Sequence, residues 1–115
     1  MAAKTNDKKT IEEQAIAKKI HDEVISIEGV SKFAEVGITK SITNAVFGRD
    51  NYLTGIVFSR EEDRLIISLH IKVYFGINIP QLSYDIQTKL KPIVAEMTSD
   101  KVQAINIIVE GIERK

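Results

Sequence analysis

Between Arg64 and Phe75 the chain alternates apolar and polar positions almost without a break. Leu65, Ile67, Leu69, Ile71, Val73 and Phe75 share one parity, and Arg64, Ser68, His70, Lys72 and Tyr74 share the other. Successive side chains of a strand point to opposite faces, so this stretch reads as a strand with one buried face. Ahead of it, "LTGIVFS" (53–59) reads as a shorter strand and "REED" (60–63) as a charged turn. A hairpin is the shortest way to join the two. Near the end, "KVQAINIIVEGI" (101–112) reads as a last strand with Ile105, Ile107 and Val109 on one face.

Two other segments change period. In "TIEEQAIAKKIHDEVISIEGV", Ile11, Ala15, Ile20, Val24 and Ile27 recur at helical spacing, and Ile16 and Ala17 widen that face. Thr10 and Glu13 stand at capping-box spacing, and Gly29 suits the left-handed exit of a helix. From about Pro80 to Met97, the residues Ile79, Leu82, Ile86, Leu90, Ile93 and Met97 repeat every three or four positions. Pro92 lies inside this second helix and cannot donate to the carbonyl of Thr88, so a kink or weakened turn is expected there. Residues 1–9 are polar and rich in lysine, and read as a disordered tail. Residues 30–52 are the least legible. Ile38, Ile42, Ala45 and Val46, bracketed by Gly37 and Gly48, fit a short amphipathic helix or an irregular flap.

The expected order is helix, strand, strand, helix, strand. That is an α+β domain, residues 10–112, followed by a charged end at 113–115. Its sheet has three strands, or four, with both helices packed on one face. If the long strand and the last strand are parallel, their crossover should be right-handed.

Composition narrows the classes. A chain of 115 residues suits one domain, since domains cluster near ~100–150 residues. Sixteen basic groups balance sixteen acidic ones, which gives no general excess of cations for a nucleic-acid backbone. No nucleic-acid partner is expected. There is no cysteine, so disulfides, thiolate nucleophiles and thiolate metal sites are excluded. No run approaches the ~18 apolar residues of a membrane span, and the N-terminus lacks the apolar core of a signal peptide. A cytoplasmic protein is expected, without direct membrane insertion. Any membrane association would come through a partner.

Candidate chemistry is sparse. His21 and His70 sit on different elements and read as surface histidines, since a zinc site needs several converging ligands. Glu61, Glu62 and Asp63 read as a solvated hairpin tip, because paired catalytic carboxylates need unlike environments. No serine stands in a nucleophile-elbow context, and no glycine-rich phosphate loop is present. A GxxG loop of the kind used by KH modules is also missing. The joint "VYFGINIP" (73–80) could hold a small anion or metabolite at a helix N-terminus, residues 76–80. Its apolar approach and Pro80 favour a structural joint instead. On the polar face of the sheet, Ile66, Tyr74 and Ile108 form a candidate interface.

Several residues in order resemble the alkaline-shock, or envelope stress response, family of Gram-positive bacteria and their relatives. They are Phe75-Gly76, Ile79-Pro80, Ile86-Gln87, Glu96-Met97-Thr98 and Val109-Glu110-Gly111-Ile112, with "SIEGV" (26–30) and Gly55-Ile56 upstream. The signature residues are thus Phe75, Gly76, Ile79, Pro80, Gln87, Met97, Thr98 and Gly111. The resemblance covers about 11–112 and is tightest in 64–112. A lysine-rich tail replaces the family's usual first strand, Ser99 stands where a glycine is usual, and Pro92 interrupts a helix normally unbroken. The resemblance implies an abundant, small, non-enzymatic cytoplasmic protein linked to cell-envelope or general stress. It also implies self-association into a homo-oligomer, a separate membrane-anchoring or envelope partner protein, and no cofactor, metal or catalytic residue.

Overall fold

In the computed structural model, residues 2–35 and 54–115 are described, and for residues 2–10 only the backbone. The chain order is α1 (Ala2–Ile25), β1 (Val30–Phe33), β2 (Ile56–Glu61), β3 (Arg64–Tyr74), α2 (Ile79–Ala95) and β4 (Lys101–Glu113). The segment 36–53, with the expected helix or flap around Ile38–Val46, lies outside the described residues.

The alternation in β3 is realised as read. Leu65, Ile67, Leu69, Ile71 and Val73 are fully buried, while Ile66, Ser68, His70, Lys72 and Tyr74 are half-buried on the other face. β2 and β3 form the expected hairpin, from Ile56 opposite Leu69 to Glu61 opposite Arg64. The turn is tighter than "REED". Arg60 and Glu61 belong to β2, and Glu62 takes the left-handed conformation at φ 59°.

β4 runs parallel to β3 along its opposite edge, from Arg64 beside Lys101 to Tyr74 beside Glu113. The sheet is therefore mixed, and β3–α2–β4 is a parallel crossover. Parallel neighbours need a long connection, which α2 supplies.

The fourth strand is β1, antiparallel to β3, with Val30 opposite Val73 and Phe33 opposite Ile71. It does not widen the sheet, because it shares an edge of β3 with β2. β2 covers Arg64–Leu69 and β1 covers Ile71–Val73. Between them, the His70 N–H donates to the Gly55 carbonyl and the Ala34 N–H donates to the His70 carbonyl, both at 2.8 Å. β1 is the fourth strand that the sequence leaves open, and four residues are too few for an alternation to fix its place.

Both helices lie on one face. Ile16, Ala17, Ile20 and Val24 of α1 meet Leu82, Ile86, Leu90 and Val94 of α2 over the inward side chains of β3 in one apolar cluster. Burying each such side chain stabilises by roughly 1.5–3 kcal/mol.

Three readings are corrected. First, α1 starts at Ala2 and takes in the expected tail, so Thr10 lies within the helix rather than at its cap. Alanine and lysine are good helix formers, and extending an existing helix needs no new nucleus. Its buried stripe is centred on Ile16 and Ala17, and Ile11 is exposed. Second, α1 ends at Ile25, and Gly29 (φ 107°) serves the turn into β1 rather than the helix end. Third, Phe75 does not complete the inward face of β3. The strand ends at Tyr74, and Phe75 is 70% exposed with the Arg114 guanidinium 5.5 Å from its ring centre.

Candidate functional site: the outward face of the sheet

The helices cover the inward face, and no described helix covers the outward one. β3 presents Ile66, Ser68, His70, Lys72 and Tyr74 there. Their β4 neighbours are Ala104, Asn106, Ile108, Gly111 and Glu113. The three candidate interface residues do share this face. Ile66 lies beside Ala104, Ile108 beside His70, and Tyr74 beside Glu113. Ile66 and Tyr74 are about 26 Å apart along the strand, at ~3.3 Å per residue, so they form a stripe with Ile108 midway rather than a pocket. Ile108 is 37% exposed.

Polar groups are paired across this face. The His70 Nδ1 lies 2.7 Å from a Glu110 carboxylate oxygen. The Ser31 hydroxyl donates to Glu113, and Lys32 Nζ stands 3.4 Å from the same carboxylate. The Ser31 hydrogen bond first, and then Lys32, hold the Glu113 carboxyl below the usual glutamate range. Near the C-terminal end, Lys115 Nζ lies 5.5 Å from the centre of the Tyr74 ring. His21 is elsewhere, stacked on Phe33 with 5.6 Å between ring centres. The two histidines are not brought together.

The joint at 76–80 is held by its own residues. Gly76 turns the chain at φ 90°, where nothing lies within 4 Å of an added Cβ. Asn78 caps α2, and its side-chain oxygen accepts the Gln81 N–H at 3.0 Å. Pro80, in the first turn, has no N–H. Two of the donors that would face an anion are therefore occupied or missing.

The other signature residues have structural contacts. Gln87 Nε2 donates to the Ile105 carbonyl of β4 at 2.8 Å. Ile79 and Met97 pack on the edge of the core. The Thr98 hydroxyl accepts the Asp100 N–H and reaches Glu12 at 3.4 Å. Gly111 lies beside a register shift of β4, in ordinary contact distance of Lys72.

The sequence reading missed Arg60. Its guanidinium donates to Asp100 at 2.7 Å, to Glu12 at 2.9 Å and to Glu13. Glu13, expected in a capping box, instead faces this arginine. Only the spacing of Glu12 and Glu13 on one side of α1 hinted at a shared cation.

This is a two-layer α+β domain with a mixed sheet, helices on one side and a partly solvated face on the other. The chain belongs to the alkaline shock protein 23 family, described as having a cell envelope-related function, whose model matches residues 1–114. It is 24% identical to the uncharacterized protein YloU of Bacillus subtilis, over 89% of this chain and 85% of that protein. It is 28% identical to the uncharacterized protein Spy1535 of Streptococcus pyogenes, over 75% of this chain and 64% of that one. Identity to the uncharacterized YqhY of Bacillus subtilis is 30%, over 58% of this chain and half of that protein. These identities make it a divergent member. No solved structure matches the chain. No described helix is long and apolar enough to cross a membrane.

Proposed function

We propose that this protein serves its cell envelope-related role without catalysis, through protein–protein contacts that include self-association. It acts in the cytoplasm during envelope or general stress and reaches the membrane through an anchoring or envelope partner. The outward face carries this reading. Ile66, Tyr74 and Ile108 stand as three separate apolar side chains among paired polar groups, on the side of the sheet that no described helix covers. A face of that kind suits a partner with its own apolar ridge and a polar rim.

The test is site-specific photo-crosslinking in the native cell. A crosslinker replacing Ile66, Tyr74 or Ile108 should capture a discrete envelope-associated protein or a second copy. The same crosslinker at Lys18, on the outer side of α1, should not. Equal yields from all four positions would overturn the reading. Light scattering over a range of concentrations checks self-association separately.

A further inference from the structure

One edge of β4 pairs with β3, and among the described residues no strand pairs with the other. Backbone groups alternate between the two edges of a strand. The Lys101 N–H donates to the Asp63 carbonyl, and the Glu113 carbonyl accepts from the Phe75 N–H, both at 2.8 Å. Lys101 and Glu113 therefore face β3. The register shifts once between Val102 and Ala104 and again between Val109 and Gly111. Carrying the alternation across both shifts directs the N–H and C=O groups of Val102, Ile105, Ile107, Val109 and Ile112 to the free edge. The Gln87 contact agrees, since its amide reaches the Ile105 carbonyl from α2. That carbonyl keeps a second lone pair.

These positions are symmetric about Ile107. Turned end for end, β4 sets Val102 opposite Ile112, Ile105 opposite Val109, and Ile107 opposite itself. In each pair both residues are edge-directed, which is the hydrogen-bonded pair of an antiparallel ladder. The irregular stretches holding Gln103 and Glu110 fall opposite one another. Charge follows the same symmetry. Lys101 meets Glu113 of the second copy, and the two-fold axis repeats the pair. From Val102 to Val109 the edge carries no lysine and no proline, the residues that commonly guard exposed strands. A surface complementary to itself in this way fits a second copy of the same chain, and the two-fold arrangement closes as a dimer.

We propose that the free edge of β4 pairs with the same edge of a second copy, antiparallel and centred on Ile107, so that one sheet runs through the dimer. This specifies the self-association proposed above and rests on it.

Residue-resolved amide exchange on the full chain, at low and high concentration, tests the proposal. The amides of Ile105, Ile107 and Val109 should gain protection as light scattering shows the dimer form. Those of Asn106 and Ile108, already facing β3, should not change. The surface variant Lys101→Glu turns both Lys101–Glu113 pairs repulsive and should weaken the dimer about tenfold, the summed effect of two exposed pairs. A dimer whose exchange at Ile107 and Val109 does not vary with concentration would overturn the edge while leaving self-association standing. A dimer unmoved by Lys101→Glu would overturn the register. A chain monomeric at every concentration would overturn both the edge and self-association.

Discussion

Gly55 sits where three strands converge, and its missing side chain is a condition of that meeting. A Cβ there would stand 2.7 Å from the Ala34 carbonyl oxygen, 2.8 Å from that of His70 and 3.1 Å from the Phe33 Cβ, on a backbone with φ 75°. Gly76 also has positive φ, but open space around it. Gly76→Ala should therefore cost about 1 kcal/mol of backbone strain, and Gly55→Ala about 3 kcal/mol or more. Denaturant midpoints of the two variants separate strain from crowding. At Glu113 the quantity to follow is pH. Its depressed carboxyl stabilises the fold above the usual glutamate range, and that contribution is lost as pH falls through the folded value. Ser31→Ala should thus be less stable than the parent at neutral pH, with the difference vanishing in acid. Stability curves of both proteins against pH check this, and other carboxylates cancel in the difference.

At the scale of the element, α2 carries one favourable terminus and one interior fault. Asn78 holds the Gln81 N–H, so Asn78→Ala should destabilise by about 1 kcal/mol. Pro92 is exposed within the last turn of α2, and its ring removes the bond to the Thr88 carbonyl. Pro92→Ala should stabilise by about 1–3 kcal/mol, since it restores that bond and costs no core contact. Thermal melts read both effects, and a loss of stability in Pro92→Ala would show that the break serves packing. The β3 strand explains why so much of this fold was readable. Five inward residues and six outward ones alternate over a single element, and burial follows that alternation without exception. In α1 the spacing reads as one face through Ile11, Ala15, Ile20, Val24 and Ile27, widened by Ile16 and Ala17, and packing in the core buries Ile16, Ala17, Ile20 and Val24 while Ile11 and Ala15 stay exposed.

Over the whole molecule, Arg60 ties parts that are remote in sequence. It joins β2 to Glu12 and Glu13 of α1 and to Asp100 in the turn before β4. All four side chains are less than a third exposed. Arg60→Met keeps the apolar stem but leaves three neighbouring carboxylates without their shared cation. The loss should be about 2 kcal/mol or more, since stranding partly buried partners costs more than the net worth of the pair. Denaturation at neutral pH measures it. Partial recovery as the carboxylates protonate in acid would assign the loss to charge rather than packing.

The sequence by itself determined the one-sided strand, the hairpin, the two amphipathic helices and the joint that starts α2. All of these follow from the side-chain period along a single element, or from capping and turn residues a few positions apart. The tertiary structure alone decided that β1 shares an edge with β2, that β4 runs parallel, that Phe75 stays outside the core and that Arg60 gathers its carboxylates. Each of those outcomes depends on contacts between residues tens of positions apart. A charged residue reads the same in a sequence whether it ends in water or against a partner, and a four-residue strand has no period to read. Pairing along the edge of β3 places the short strand, and the approach of α1 and the turn before β4 to β2 gives Arg60 its partners.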